Sequence, residues 1–150
     1  MTRLRQSRSP GSPGNAGYSG TPLGKKLGVK ESFRIKTRNA PAGYARMLEP
    51  LPDGVAISQR LRPPIDLWHI FSRSRVDLAR ELSTCLNEIK QGGMIWVSWP
   101  KKTSGVASDL TEDVIRELAL PKGLVDVKVC AVDETWSGLK LVLRVEHRPS

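Results

Sequence analysis

Several features that would indicate a specialised class of protein are scarce or missing in this sequence. It contains two cysteines and two histidines, and none of them stands at the spacing of metal ligands, so we predict no metal site. The sequence has no run of about 18 apolar residues, so we expect no transmembrane helix and no membrane partner. The apolar segment of a secretory signal is also missing from the N-terminus. We therefore expect a cytoplasmic protein.

The positive charge is unevenly distributed along the chain. The net charge is +9, and residues 1–30 hold six of the 24 basic residues and none of the 15 acidic ones. Residues 1–19 are rich in Ser, Pro, Gly and Arg, a composition that cannot bury enough apolar surface to fold. We predict a disordered basic tail over 1–19, a single domain over 20–147 and a disordered end over 148–150.

The tail raises the question of nucleic-acid binding. A basic segment of this kind contacts phosphates weakly and in a salt-dependent way. Weak nucleic-acid binding through residues 1–30 is therefore one hypothesis, and a merely solvated tail is the simpler one.

Hydrophobic patterning after residue 20 predicts alternating strands and helices. Residues 65–71 and 94–99 are apolar on both faces, as in central strands, whereas residues 33–37 and 55–61 alternate and belong nearer an edge. The last two strands, 126–133 and 139–146, are joined too tightly for a crossover and must be antiparallel. We predict an α/β fold: a three-layer Rossmann-like sandwich with a mostly parallel sheet that ends in an antiparallel C-terminal hairpin.

The helices are predicted from caps and apolar stripes. A short helix begins at Thr21–Pro22, and a two-turn helix covers residues 44–49. Ser74 begins a longer helix that Gly92 and Gly93 end, with an apolar stripe of Val76, Ala79, Leu82, Leu86 and Ile89. Asp109 begins the last helix, whose inward residues are Val114, Ile115, Leu118 and Ala119.

Ligands of such sheets bind outside the carboxyl ends of the central strands. Residues 39–44 follow the first strand there, and residues 100–109 follow the fourth and lead into a helix N-terminus, where an anion is favoured. The second loop supplies positive charge, hydroxyl groups and a flexible backbone; the simpler alternative is an ordinary loop with two exposed lysines. The predicted ligand-binding residues are Asn39, Tyr44, Trp99, Lys101, Lys102, Thr103, Ser104, Gly105 and Trp136.

Three further side chains have alternative interpretations. Trp136, in the final turn, either stacks on a ligand or covers the open end of the sheet. His69, on a central strand, is expected to be a buried histidine with hydrogen-bond partners rather than a catalytic base. Cys130 is expected to be a small buried hydrophobe rather than a reactive thiol.

Three long segments resemble a bacterial family known only as a domain of unknown function. They are GYSGTPLGKKLGV at residues 17–29, WVSWPKKTSGVASDLTEDV at 96–114 and GLVDVKVCAVDETWSGLKLVLRV at 123–145. The resemblance spans about residues 17–146. It implies a small cytoplasmic protein and carries over no activity and no catalytic residue. Arg34 and Lys36 make the first strand more polar than the resemblance leads us to expect.

A weaker resemblance concerns topology. The order of elements, with QGGMIWV at residues 91–97, is similar to the second half of class I methyltransferases that use S-adenosylmethionine. Their glycine-rich loop has no counterpart here, because residues 39–44 contain a single glycine. We therefore predict no cofactor, and a non-catalytic or accessory domain that binds a small anionic ligand or a protein partner. A reduced methyltransferase-like enzyme is the alternative.

Overall fold

The computed structural model of the chain describes residues 21–144. The predicted tail and the predicted C-terminal end lie outside these residues, and the division into domains stays a prediction. The helices are α1 (Leu23–Leu27), α2 (Tyr44–Met47), α3 (Arg75–Leu86) and α4 (Glu112–Ala119). The strands are β1 (Arg34–Arg38), β2 (Ala56–Ser58), β3 (Ile65–Phe71), β4 (Ile89–Pro100), β5 (Leu124–Ala131) and β6 (Trp136–Leu143). None of the helices within residues 21–144 is long and apolar enough to cross a membrane.

All six strands form one mixed sheet in the order β2-β1-β3-β4-β6-β5. The first four strands are parallel to one another, while β6 runs antiparallel to both β4 and β5. The strands β3 and β4, predicted to be central, are neighbours at the middle of the sheet. The predicted fold class is confirmed, and β5, not the last strand, forms the C-terminal edge.

Helices cover both faces of the sheet. On one face α1 and α2 enclose a core that contains Leu27, Ile35, Leu48, Leu67 and Trp96. On the other face α3 and α4 enclose a second core that contains Leu78, Leu82, Ile95, Ile115 and Trp99. Trp96 and Trp99 thus lie on opposite faces, as their spacing in a strand requires.

Helix α3 begins as predicted, but its buried side differs from the prediction. The Ser74 hydroxyl accepts a hydrogen bond from the backbone N–H of Asp77, which fixes the phase of the helix. The buried residues are Leu78, Leu82 and Cys85, whereas Val76 from the predicted stripe is 65% exposed. The prediction was right at Leu82, which is buried, and at Leu86 and Ile89, which pack against the core, and it was wrong at Val76.

The glycine pair does not end α3. The helix ends at Leu86, and β4 begins at Ile89 and runs through both glycines. A Cβ atom on Gly93 would lie 2.9 Å from Ile89 Cγ1 and 3.0 Å from the carbonyl oxygen of Asp66. Gly93 therefore permits a close approach of β4 to the start of β3, which sequence spacing does not reveal.

The cap of α4 also differs from the prediction. Thr111, not Asp109, is the N-cap residue, and its hydroxyl accepts from the backbone N–H of Val114. The Asp109 carboxylate instead accepts from the backbone N–H of Arg75, at 2.7 Å. Asp109 thus stabilises the first turn of α3, a helix far from it in sequence.

The C-terminal hairpin turns earlier than predicted. The Asp133 carboxylate accepts from the backbone N–H groups of Thr135 and Trp136, both at 2.8 Å, and this tight turn returns the chain into β6 at Trp136. Gly138, expected in the turn, lies within β6, where a Cβ atom would be 3.2 Å from Trp96 Cε3. Trp136 is therefore the first residue of a strand and not a turn residue.

One face of β1 has no helical cover, which explains its polar residues. The described residues 59–64, between β2 and β3, contain no helix. Ile35 is fully buried on one face of β1, whereas Lys36 on the other face forms an ion pair with Glu88 at 2.8 Å and lies over the Trp68 ring. Arg34 donates to the backbone carbonyl groups of Arg62 and Pro64. Ion pairs and loop carbonyls thus take the place of a packed helix on this face.

Candidate functional site

The carboxyl ends of β1, β3 and β4 meet at one edge of the sheet, because these strands are parallel and adjacent. The strand β6 begins at the same edge, where Trp136 pairs with Pro100. Both predicted loops, residues 39–44 and 100–109, therefore lie at this edge together with Trp136.

A cleft of about 840 Å³ opens at this edge. Its walls include Asn39, Phe71 and Trp136, the start of α3 and residues 106–109; we call it the edge cleft. Two of the predicted site residues, Asn39 and Trp136, contribute to it. The Asn39 amide donates to the carbonyl oxygen of Phe71 at 3.3 Å, which joins the ends of β1 and β3 beneath the cleft.

Aromatic rings form the floor of the edge cleft. The ring of Phe71 meets the ring of Trp136 edge to face, with centroids 5.1 Å apart. On its other side Phe71 stacks on His69 at 4.3 Å. Trp136 is half-buried, so it packs on the sheet and also presents surface to the cleft.

Beneath this floor lies a buried polar cluster of Tyr44, His69 and Ser98. Tyr44 Oη is 2.8 Å from His69 Nδ1, and Ser98 Oγ is 2.7 Å from His69 Nε2. His69 is 0% exposed, and burial lowers its pKa to about 3, so the imidazole is neutral near pH 7, with one nitrogen donating and the other accepting. The prediction of a buried histidine with partners is confirmed.

Two predicted site residues are placed away from the cleft surface. Tyr44 is buried, and burial raises the pKa of its hydroxyl, so this group stays protonated and supports the floor from below. Trp99 lies in the core on the opposite face of the sheet. Neither lines the edge cleft.

The predicted residues 101–105 lie beside Trp136, at the rim of the edge cleft. We call Lys101 and Lys102 the rim lysines. The backbone N–H of Lys101 donates to the carbonyl oxygen of Thr135 at 2.8 Å. Lys102, Thr103 and Ser104 form one 3-10 helical turn, which the Ser104 hydroxyl closes by donating to Lys101 O at 2.7 Å, and Gly105 follows with a φ of +78°. These residues are outside the wall of the edge cleft.

The helix N-terminus expected to attract an anion is already supplied with carboxylates of the chain. Helix α4 begins with Glu112 and Asp113, and both form ion pairs with Arg116. Any anion bound at this edge would therefore depend on side-chain cations and not on the helix dipole of α4.

A second cavity, of about 490 Å³, lies between α3 and the uncovered face of β1; we call it the side cavity. Arg38 and Trp68 line it from the sheet, and Asp77, Arg80 and Glu81 line it from the helix. Sequence reasoning missed this cavity, because Trp68 lies in a strand that is apolar on both faces and belongs to the core. The usable signal was the run of alternate basic residues along β1, which marks a face without apolar cover.

Neither cysteine is activated as a thiol in this structure. Burial raises the pKa of both the Cys85 and the Cys130 thiol, and partly buried Cys130 packs against the core under α1 and α2. Within residues 21–144, no group of three or more His, Cys, Asp or Glu residues is arranged to hold a metal ion.

Solved structures with a similar fold include S-adenosylmethionine-dependent methyltransferases. One from Aquifex aeolicus is 12% identical, with a TM-score of 0.54 over 78% of this chain and 85% of that chain. Another, from Clostridium acetobutylicum, is 9% identical, with a TM-score of 0.51 over 79% of this chain and 85% of that chain. At these identities the likeness shows the fold alone, and it confirms the topological resemblance.

The complex of LepI with SAM is also similar, with 12% identity and a TM-score of 0.51. It covers 83% of this chain, but this chain spans only 47% of LepI. Among curated proteins there is no match. Residues 65–145, more than half of the chain, match the family described as protein of unknown function (DUF3052), and the chain belongs to that family.

Proposed function

We propose that this protein binds a small anion that carries a flat ring, such as a mononucleotide, in the edge cleft, without catalysing a reaction. The observation that carries the proposal is that Trp136 and Asn39 line one cleft at the carboxyl edge of the parallel strands, with Lys101 bonded through its backbone to Thr135 beside it. This is the edge at which sheets of this class bind ligands.

The ring of such a ligand has an aromatic partner in Trp136. Its side chain is half-buried against Phe71, so its orientation is held by packing before any ligand arrives. A ring fixed in this way stacks on a flat ligand at little entropic cost.

The anionic group has unpaired cations nearby. Within the described residues, Arg73, Lys101 and Lys102 form none of the ion pairs found, and Arg73 and Lys102 are exposed. The acids in the wall are engaged, since Asp77 pairs with Arg80 and Asp109 accepts from a backbone N–H. Asp109 keeps its negative charge and balances Arg73 in the wall, so the anionic group of the ligand depends on the two rim lysines.

The test is isothermal titration with adenosine monophosphate at low salt. Replacing both rim lysines (K101A/K102A) should weaken binding by about tenfold or more, because a lost charge-assisted hydrogen bond costs about 1.5–3 kcal/mol. The matched control is K25A/K26A, which removes the same charge from α1. Equal weakening by the two double variants would indicate nonspecific attraction, and no weakening by K101A/K102A would remove the rim lysines from the site.

S-adenosylmethionine, which several of the similar structures use or contain, fits this edge of the sheet poorly. After β1 the chain has a helix of only four residues, and buried Tyr44 fills the space against His69 and Phe71. Residues 39–43 offer no glycine-rich backbone to cradle such a cofactor. We therefore do not propose methyl transfer, and equilibrium dialysis with labelled S-adenosylmethionine should detect no binding.

The other two alternatives remain predictions. The first is a protein partner, for which the edge strand β5 offers the exposed side chains of Val127 and Val129. The nucleic-acid hypothesis depends on residues 1–30, of which only 21–30 are described. Deleting residues 1–16 and measuring retention on immobilised RNA or DNA tests it.

A further inference from the structure

Four lysines lie close together where α1 packs beside the C-terminal hairpin. Lys128 on β5 and Lys140 on β6 are directly opposite each other in the sheet, and Lys128 Nζ donates to the carbonyl oxygen of Lys26, 2.9 Å away, in the last turn of α1. Burial lowers the pKa of Lys140, and the charges of Lys128 and Lys30 lower it further, so Lys30 is also near. We call Lys26, Lys30, Lys128 and Lys140 the lysine cluster.

The charge of the lysine cluster is not balanced by acids of the chain. Its members take part in none of the ion pairs found within residues 21–144, and the segments that form α1 and β6 contain no acid. Asp126, the one acid of β5, pairs with Arg116 of α4 on the opposite face of the sheet. This change of face follows from the irregular pairing of β5 with β6 between Asp126 and Lys128, because residues two apart in a regular strand share a face.

Such a cluster costs stability in the free protein. Like charges directly opposite each other in neighbouring strands repel. The bond from Lys128 to α1 offsets part of this cost, since a cation at the last turn of a helix is favourable. The side chains of Lys30 and Lys140 have no hydrogen bond or ion pair among the described residues. Their charges therefore have no structural use in the described part of the chain, which is typical of a binding surface.

The sequence before α1 favours a long polyanion as the partner. Residues 1–20 contain Arg3, Arg5 and Arg8 but no acid, so the positive charge continues along the chain beyond the cluster. Lysine binds phosphate as a point charge, and a basic N-terminal arm together with a basic surface is typical of proteins that bind nucleic acids. A membrane-binding segment would also need an apolar face, whereas Leu4 is the only large aliphatic residue in residues 2–20.

We infer that the lysine cluster binds the phosphodiester backbone of a nucleic acid without reading its sequence. The cluster contains no aromatic ring on which a base could stack, so its contacts are with phosphates. This surface differs from the hypothesis based on residues 1–30, because Lys128 and Lys140 belong to the C-terminal hairpin. It is also separate from the edge cleft, whose wall contains none of the four lysines.

The experiment measures the fluorescence anisotropy of a labelled single-stranded RNA of about 20 nucleotides, and of DNA of the same sequence, between about 50 and 200 mM salt. The full chain is compared with K30Q/K140Q, which removes two charges and no hydrogen bond of the described structure. Binding of either strand should weaken by about tenfold or more. The slope of log K against log salt should become shallower by about 1.4, since each lost phosphate contact contributes about 0.7.

The matched control is R60Q/R62Q, which removes the same charge from two exposed arginines. They follow β2, at the edge of the sheet opposite to β5, so this variant should lose far less affinity. Urea unfolding separates a binding role from a structural one. K30Q/K140Q should be at least as stable as the wild type, because the repulsion among the lysines is reduced.

Four results would overturn the inference. They are undetectable binding by the wild type, unchanged binding by K30Q/K140Q, equal weakening by the two double variants, or a preference above about tenfold for one sugar, which phosphate contacts alone do not give. Anionic phosphatidylglycerol vesicles and polyglutamate are tested at the same salt. Tighter binding of either than of RNA and DNA, lost in K30Q/K140Q, would assign the cluster to a membrane or to an acidic protein.

The same variant keeps this surface distinct from the edge cleft. K30Q/K140Q should bind adenosine monophosphate as the wild type does, because the rim lysines are intact. A failure of the proposed function is thereby distinguished from a failure at the lysine cluster.

Discussion

Acidification should destabilise this protein through His69, by an amount that follows from the surroundings of its ring. The ring is fully buried and held between Tyr44 and Ser98, and burial lowers its pKa from the ordinary 6.5 to about 3. Below pH 6.5 the unfolded chain takes up a proton that the folded chain refuses. Stability is therefore full above pH 6.5 and falls as the pH decreases toward 3, by about 1.4 kcal/mol per pH unit.

Between pH 7.5 and pH 5.0 the resulting loss is about 2 kcal/mol. The assay is urea unfolding followed by tryptophan fluorescence, for the wild type and for His69→Gln, which retains a donor and an acceptor but does not titrate. The wild type should lose about 2 kcal/mol more than the variant over this range. His147 lies outside the described residues and is common to both proteins, so its contribution cancels.

Parallel pH dependence in the two proteins would refute this reasoning, because it would mean that the folded chain accepts a proton on His69 as readily as the unfolded chain. A direct check uses the imidazole resonances of the wild type. His69 should remain neutral well below the ordinary pKa of histidine, whether or not the variant folds.

Two further substitutions test the packing and capping described above, each by the free energy of unfolding in urea. Gly138→Ala should cost about 1–3 kcal/mol, because the added Cβ would be 3.2 Å from Trp96 Cε3, whereas Gly92→Ala, with no atom within 4 Å of its Cβ, should cost little. Thr111→Ala should cost about 1 kcal/mol through the lost N-cap of α4, and Thr111→Ser should retain most of that stability. A Thr111→Ala variant as stable as the wild type would contradict the assignment of Thr111 as the N-cap residue.

The parts of the fold that were predictable from sequence are those in which local pattern and tertiary environment agree. Strand β3 has the predicted bounds, Ile65–Phe71, because a segment that is apolar on both faces fits only the middle of a covered sheet. Ser74 was predictable as an N-cap because its hydroxyl acts within one turn.

The errors occur where distant contacts decide the local structure. Gly93 is typical of a helix end, but it lies inside β4. The carbonyl oxygen of Asp66 on the neighbouring strand leaves no room there for a side chain. The Asp109 carboxylate caps a helix that starts 34 residues earlier, which a search for caps one turn apart does not find. The location of the edge cleft was predictable from the topology, because the parallel strands end at this edge. The position of Lys101 and Lys102 was not, because it depends on the 3-10 turn that the Ser104 hydroxyl closes.

Both candidate cavities lie at the border between the matched family segment and the residues that precede it. The match begins at Ile65, so Trp68, Glu81 and Trp136 lie within it, while Arg38, Asn39 and Tyr44 precede it. Without the preceding residues, β3 would be an edge strand with unpaired backbone groups and apolar side chains on both faces, and His69 would lose its bond to Tyr44. The matched segment thus provides the central strands and one wall of each cavity. The residues before it cover β3 and complete the walls of both cavities, so residues on both sides of Ile65 determine the shape and charge of each cavity.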